Sequence, residues 1–272
     1  MSAAEPDVPG VDPTVPSVAR MYDYYLGGKD NFPSDREAAE KIIAIVPEVR
    51  ETARDNRAFI GKAVRLMAEQ GVRQFLDIGA GLPTQENVHQ VAQRVAPDTR
   101  VVYVDNDPIV LAHARALLAD TPDTVAVWGD VTDPAAILSD PQITGHLDLG
   151  LPTAVLMSAV LHFVPGDRQA SDIVATLRAP LVPGSHLLIS HFYTPDADDP
   201  KVKAGQQVYR ATKPGALAAR SLRQITDFFD GMKLLEPGLV PVKSWRPESE
   251  LDRLAEVDLT VPGLLGAVGR LS

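Results

Sequence analysis

Cysteine is absent from the 272 residues, which excludes disulfide frameworks, thiolate chemistry and Cys-ligated zinc. None of the six histidines pairs in a His-x-x-x-His spacing, so no metal is expected. No apolar run approaches the roughly 18 residues of a membrane span. The N-terminus is acidic and proline-rich, with no basic stretch leading into an apolar one. The chain therefore reads as cytoplasmic, with no membrane partner. Positive charge is also short, with 26 Lys and Arg against 36 Asp and Glu and a formal net charge of -10. Binding to phosphate backbones depends on cationic neutralisation, which argues against nucleic acid and for a small-molecule substrate. The one basic-leaning segment, Lys201 to Arg223, reads as a solvated helical face.

What the chain does have is Gln74-Phe75-Leu76-Asp77-Ile78-Gly79-Ala80-Gly81-Leu82-Pro83-Thr84, an apolar strand that meets an acid and then a two-glycine turn. Glycine lets backbone approach a ligand that a Cβ would hold off. Asp77 would repel a pyrophosphate, so a cationic or amine-bearing ligand suits the turn better. S-adenosylmethionine carries both a sulfonium and an α-amino group. The segment resembles motif I of the class I S-adenosylmethionine-dependent methyltransferases, commonly Asp/Glu-x-Gly-x-Gly.

Apolar strands and amphipathic helices alternate downstream, the pattern of a parallel sheet covered on both faces. A helix is predicted over 86–96, then a strand from Arg100 to Asp105. An acid roughly 20 residues past the glycine turn is placed to accept from ribose hydroxyls, with Asn106 beside it. Asp107-Pro108 makes an N-cap and first-turn pair for a helix over 108–119. The third strand, Thr124 to Trp128, leads into Gly129-Asp130-Val131. This turn resembles the methyltransferase loop whose Asp accepts from the adenine amino group while the next N–H bonds a ring nitrogen. A buried adenine edge needs such partners. A fourth strand, Ala154 to Ser158, runs into Leu161-His162-Phe163, and a fifth ends at His191 and Tyr193. A helix is expected over 221–230, a strand over 239–245 and a last strand over 264–270, giving a terminal antiparallel hairpin.

The first part of the chain is of another kind. Residues 1–16 are rich in proline and acids without apolar periodicity and read as a disordered or loosely wrapping arm. Tyr22 to Phe32, with Tyr22, Tyr24, Tyr25 and then Gly27-Gly28, reads as a lid over the site. Ser34 with Glu37 suggests a capping box, and a long helix is expected from about Glu48 to Gln70, ending at Gly71. On that helix, Arg57 is suited by its forked donors to the methionine carboxylate of the cofactor.

The runs YDYYLGGKDNF (22–32), Asp35-Arg36-Glu37-Ala38-Ala39, Asn56-Arg57-Ala58-Phe59 and QFLDIGAGLPT closely resemble a large bacterial family of S-adenosylmethionine-dependent methyltransferases of unassigned substrate. Leu161-His162-Phe163, Glu236 to Val240, Trp245-Arg246-Pro247 and Gly266 to Arg270 extend the resemblance over about residues 17 to 271. Tyr25 stands where the family commonly has Leu. The resemblance implies an α/β, Rossmann-like class I methyltransferase fold, a mostly parallel sheet of seven strands with an antiparallel C-terminal hairpin. Its expected parts are the arm 1–16, an N-terminal helical cap or lid 17–71 and a cofactor-binding core 72–272.

The implied cofactor-binding set is Asp77, Gly79, Ala80, Gly81, Asp105, Asn106, Asp130, Val131 and Ser158, joined by Arg57, Tyr25 and Asn31. The reaction would be in-line methyl transfer to an O or N nucleophile of a small molecule. His162 is the expected general base, and its packing beside the cofactor with a ring nitrogen bonded to backbone is the competing reading. His191 and Tyr193 stand behind it. Two other functions fit the sequence: a cofactor-binding protein without transfer activity, and an NAD-dependent oxidoreductase, opposed by Asp77, by the missing third glycine and by the hairpin.

Overall fold

The computed structural model describes residues 11–83, 86–118, 121–247 and 257–272. Thr84, Ala119 and residues 1–10 of the expected arm lie outside them. In chain order the helices are α1 (Val18–Tyr25), α2 (Pro33–Ile45), α3 (Val49–Glu69), α4 (Val88–Val95), α5 (Pro108–Leu117), α6 (Pro134–Ser139), α7 (Pro141–Thr144), α8 (Asp167–Arg178), α9 (Pro200–Tyr209) and α10 (Leu222–Asp227). The strands are β1 (Gln74–Ile78), β2 (Arg100–Asp105), β3 (Thr124–Trp128), β4 (Ala154–Ser158), β5 (His186–Tyr193), β6 (Lys233–Leu234), β7 (Val240–Pro241) and β8 (Gly263–Arg270).

These form one sheet in the order β3-β2-β1-β4-β5-β8-β6, with β7 also paired to β8. The first five strands are parallel and β8 runs antiparallel to β5. Side chains of successive strand residues face opposite ways, and both faces are apolar here. Leu76, Ile78, Val102, Val104, Val155 and Met157 pack with α8 residues such as Ile173 and Leu177. Phe75, Val101, Tyr103 and Leu156 pack with Phe59, Ala63, Val64 and Met67 of α3 and Val88 and Val91 of α4. The order reverses between β1 and β4, which opens a crevice at the carboxyl ends of those strands.

Several sequence expectations change. The sheet has eight strands rather than seven, the added one being β6, and the strand expected over 239–245 shrinks to β7. Pro241 has no N–H to donate, so the pairing of β7 stops after two residues and a 3-10 turn, Val242–Ser244, follows. Its end buries Trp245 edge-on to Phe59, with ring centroids 5.2 Å apart. At α2, Pro33 takes the first helical position and Phe32 becomes the cap residue, its N–H donating to Asp35 Oδ2 at 2.8 Å. The expected Ser34–Glu37 box is thus two residues late. Ser34 instead donates to the Pro13 carbonyl.

The N-terminal helices do not stand apart from the core. Met21, Tyr25, Ala38, Ala39, Ile42 and Ala53 make a small apolar cluster with Val208 and Tyr209 of α9. The later turns of α3, from Phe59 onward, belong to the sheet-covering layer. One helix, wholly on the cap side of the expected boundary at residue 71, therefore packs into both cap and core. Residues 12–16 lie against this cap, with the Pro16 carbonyl accepting from Lys213 N at 2.9 Å.

Candidate functional site

Asp77 is the fourth residue of β1 and, like Phe75, faces the α3 side of the sheet. It is 7% exposed and accepts no hydrogen bond among the described residues. Burial pushes its carboxyl up to about 7, against the pull of the Arg57 guanidinium and with a further push from Asp105. Arg57, the residue after Asn56 on α3, is half-buried, and its Nε is enclosed without a hydrogen-bond partner among the described residues. Its Nη2 reaches the Glu86 carbonyl at 3.4 Å. A half-neutral carboxyl and an unpaired guanidinium donor beside one glycine turn are both poised for an external partner.

The turn itself is shaped for close approach. Gly79 has φ +73°, and a Cβ there would sit 2.6 Å from Val160 Cγ2. The N–H groups of Gly79 and Ala80 donate to the Val104 carbonyl at 2.8 and 3.2 Å, and Gly81 N–H donates to Asp105 Oδ2 at 2.9 Å. Glu86 and Ala159, at φ +62° and +54°, are left-handed without being glycine. Backbone strain of this kind, of order 1–3 kcal/mol each, gathers at functional turns. Arg57, Asp77, Ala80, Gly81, Asn87 and Tyr103 line a cavity behind the turn.

At the end of β2, Asp105 is 8% exposed and raised to about 6, burial outweighing the amide donors of Asp107 and Gly81. Asp130 follows β3 and is half-buried. Its Oδ1 accepts from the N–H and hydroxyl of Thr132 at 2.8 and 2.7 Å, its Oδ2 from Asn106 Nδ2 at 3.1 Å. Burial pushes Asp130 up, but these donors outweigh it and the net shift is down. Val131 packs into the α8-side core. Asp77, Asp105 and Asp130 thus end three adjacent parallel strands, as the sequence spacing implied.

Ser158 ends β4 inside a different arrangement. Its Oγ donates to Asn56 Oδ1 at 3.2 Å and pairs with Ser190 Oγ at 2.9 Å, and Ala159 N–H donates to Ser190 Oγ at 2.9 Å. Asn56 Nδ2 donates to Tyr22 Oη at 3.0 Å, which donates to the Ala53 carbonyl at 3.0 Å. The chain of bonds ties α1 and α3 to the ends of β4 and β5.

Three expected site residues have other partners. Tyr25 is 3% exposed in the cap's apolar cluster, its hydroxyl 3.4 Å from that of Tyr209. Asn31 Nδ2 donates to Asp23 Oδ2 at 2.8 Å and to the Gly28 carbonyl at 3.1 Å. The loop 27–31 is wrapped on Asp23, and any Cβ at Gly28 would fall 1.9 Å from Asp23 Oδ1. That steric demand accounts for a glycine there. His162 is 6% exposed, with Nδ1 accepting from Phe192 N–H at 3.3 Å. Burial and then Arg220 push it down to about 3. A ring that resists protonation so strongly is a poor base near neutral pH, and the packed alternative fits.

Arg220 was not foreseen. The solvated-face reading holds for Lys201, Lys203, Arg210, Lys213 and Arg223, all exposed, but Arg220 is 1% exposed. Its Nε donates to Asp167, Nη1 to the Leu161 carbonyl and His191 Nε2, and Nη2 to the Val164 and Gly166 carbonyls. All five guanidinium donors are used on the loop after β4 and on β5.

Residues 4–272 match the family described as S-adenosyl methyltransferase. The chain belongs to this family. A crystal structure from Thermobifida fusca, provisionally described as a methyltransferase, is 37% identical with TM-score 0.88, covering 97% of this chain and 98% of that one. A DUF574 family protein from Streptomyces avermitilis is 40% identical with TM-score 0.87, covering 96% and 99%. No curated protein matches. The chain is an S-adenosylmethionine-dependent methyltransferase, and the NAD-dependent oxidoreductase reading falls. Among the described residues no helix is long and apolar enough to cross a membrane, and no group of three metal-ligating side chains occurs.

Proposed function

We propose that the chain methylates an O or N nucleophile of a small molecule and holds S-adenosylmethionine across the carboxyl ends of β1, β2 and β3. The observation that carries this reading is the pair left without partners beside the glycine turn, Asp77 and Arg57 Nε. An α-amino acid zwitterion complements them: Asp77 would face the ammonium and Arg57 the carboxylate. Asp105 would take the ribose hydroxyls, and Asp130 with the Val131 N–H the adenine edge. Asp130 keeps acceptor capacity on Oδ2 beside Asn106. Gly79, Ala80 and Gly81 admit the cofactor backbone-close, and Ser158 would bound its methionine end.

The bound cofactor supplies an electrophilic methyl group on a sulfonium. The protein's own part is to align the acceptor and exclude water at the end of β4. With His162 neutral and packed, the acceptor loses its proton to solvent or arrives without one.

The test is calorimetry of S-adenosylhomocysteine with the wild type, Asp105→Ala and Arg57→Gln, followed by transfer assays over a small-metabolite set. Asp105→Ala should weaken binding by roughly tenfold to a hundredfold, the loss of a hydrogen-bonding carboxylate. Arg57→Gln should weaken the homocysteine ligand and leave an analogue lacking the carboxylate unchanged. Unaltered affinity in Asp105→Ala, or equal losses for both ligands in Arg57→Gln, overturns the assignments. Binding without transfer to any acceptor would favour the reading as a binding protein.

A further inference from the structure

The carboxylate assigned to the ribose is oriented by more than its own strand. Asp105 Oδ2 accepts from Gly81 N–H and Oδ1 from Asp107 N–H, each at 2.9 Å. Asp107 is in turn gripped from the N-terminal segment. Its Oδ1 caps α5 through Ile109 N–H at 2.9 Å, while Oδ2 accepts from Ser17 Oγ at 2.7 Å and from Arg20 Nη1 at 3.2 Å. Arg20 is held by Asp35, which has no exposed side-chain surface and bonds Arg20 Nε, Ser17 N–H and Phe32 N–H at 2.8 Å each. The third donor of Arg20, Nη2, goes to the Val15 carbonyl at 2.9 Å, and its guanidinium stacks 5.0 Å from the Phe32 ring centroid.

We propose that Arg20 and Asp107 are positioning residues for the ribose subsite: the N-terminal segment latches the turn after β2 and so aims the Asp105 carboxylate at the ribose hydroxyls. A carboxylate fixed by one amide swings about that bond, whereas one fixed by an amide on each oxygen keeps its remaining lone pairs in place. The Asp107 N–H supplies the second fixed point, and Arg20 holds Asp107 in place. Its guanidinium is buried, bidentate in reach and planar, so it spans Asp35 and Asp107 at once, which a lysine ammonium cannot do with the same geometry. Arg20 also offsets the Asp107 charge, which otherwise pushes Asp105 toward its protonated form. The N-terminal segment therefore contributes to cofactor recognition from outside the site, through Asp107, without touching the ligand.

The inference rests on the assignment of Asp105 to the ribose, and one experiment separates the two. S-adenosylhomocysteine and its 2′,3′-dideoxy analogue are titrated calorimetrically at pH 8, above the value of about 6 to which Asp105 is raised. The wild type should prefer the hydroxylated ligand by about tenfold or more, and Asp105→Ala should erase the preference. Asp107→Asn keeps an oxygen to cap α5 but presents an amide to Arg20 and Ser17. It should cut the preference about fivefold while the dideoxy ligand binds nearly as before. Arg20→Lys, which keeps one ion pair and loses the span, should do the same to a lesser degree, and serves if Asp107→Asn fails to fold. Equal weakening of both ligands, or none, makes the latch purely structural and overturns the inference. No preference in the wild type overturns the ribose assignment instead.

Discussion

The carboxyl edge of the sheet has two halves that treat polar groups in opposite ways. Around β1 and β2, among the described residues, Asp77 has no hydrogen-bond partner and Arg57 has an orphaned Nε, although both are enclosed. Around β4 and β5, the polar groups satisfy one another: Asn56 with Ser158 and Tyr22, Ser190 with Ala159 N–H, and Arg220 with five acceptors. A buried polar group without a partner is costly unless something else supplies one. The first half is thus built to be completed by a ligand, and the second to hold a loop in shape.

The largest test of that contrast falls on the second half. Arg220→Met would strand the carbonyls of Leu161, Val164 and Gly166 and the acceptor of His191. At about 1–3 kcal/mol for each buried group left unsatisfied, the loss should be about 3 kcal/mol or more. Urea unfolding measures it directly. Arg220→Lys should restore little, because one ammonium cannot reproduce the fork. A loss below about 1 kcal/mol would mean that the loop after β4 is held by other contacts.

The first half predicts the reverse for Asp77→Asn, a protein that is more stable without cofactor yet binds it worse. The folded-state pKa of Asp77 is raised to about 7, above its unfolded value of about 4. Its contribution to stability is present below the unfolded value and lost as pH rises through about 7. At pH 8 the unliganded wild type holds an ionised, unpartnered carboxylate, so Asn should raise its melting temperature by several degrees, on a scale of about 2–4 °C per kcal/mol. S-adenosylhomocysteine affinity should fall at the same pH. In the wild type, binding should strengthen from pH 5.5 to 8 and release a proton, seen as a buffer-dependent enthalpy.

The histidines run the other way. His162 and His186 are pushed down to about 3 and about 4, each mainly by burial. Their contribution is present above the unfolded value of about 6.5 and lost as pH falls toward those folded values. The two windows overlap, and with two histidines set against one carboxyl the unliganded protein should be most stable near their upper end, at about pH 6.5. A melting temperature of Asp77→Asn equal to that of the wild type at pH 8 would show that Asp77 already has a partner.

How much of this could be read from sequence follows the same division. The strands β1 to β4 stand where alternating apolar runs and terminal acids placed them, and their acids converge because parallel strands in one sheet share a carboxyl edge. Local chemistry sufficed there. The partnered half depends on contacts between distant residues, such as Arg220 with Asp167 and Asn56 with Ser158. Arg220 sits among exposed Lys and Arg, and nothing in its neighbours marks it as buried. Asp107 was legible as the cap of α5, but its latch to Arg20 and Asp35 was not, since contacts over 15 and 87 residues have no periodicity. The misplaced α2 cap and the broken seventh strand are smaller failures, both from proline positions whose missing N–H was not given enough weight.

The smallest expected effect concerns the cap, and it decides to which half the cap belongs. Tyr25 is buried among Met21, Ala38, Ala39 and Ile42, and its hydroxyl meets only Tyr209 at a long 3.4 Å. Burial pushes its phenol well above the ordinary range, with Tyr209 and Glu40 adding to it, so it stays neutral. Tyr25→Phe keeps the ring and removes that weak bond, at a cost of about 0.5–1 kcal/mol or less. Cofactor affinity should not change. Hydrogen exchange supplies the independent reading, because a scaffold shows the same amide protection over 22–32 with and without S-adenosylhomocysteine. Weakened binding in Tyr25→Phe, together with protection gained on ligand addition, would make this segment a closing lid. The cap would then join the half of the site that a ligand completes.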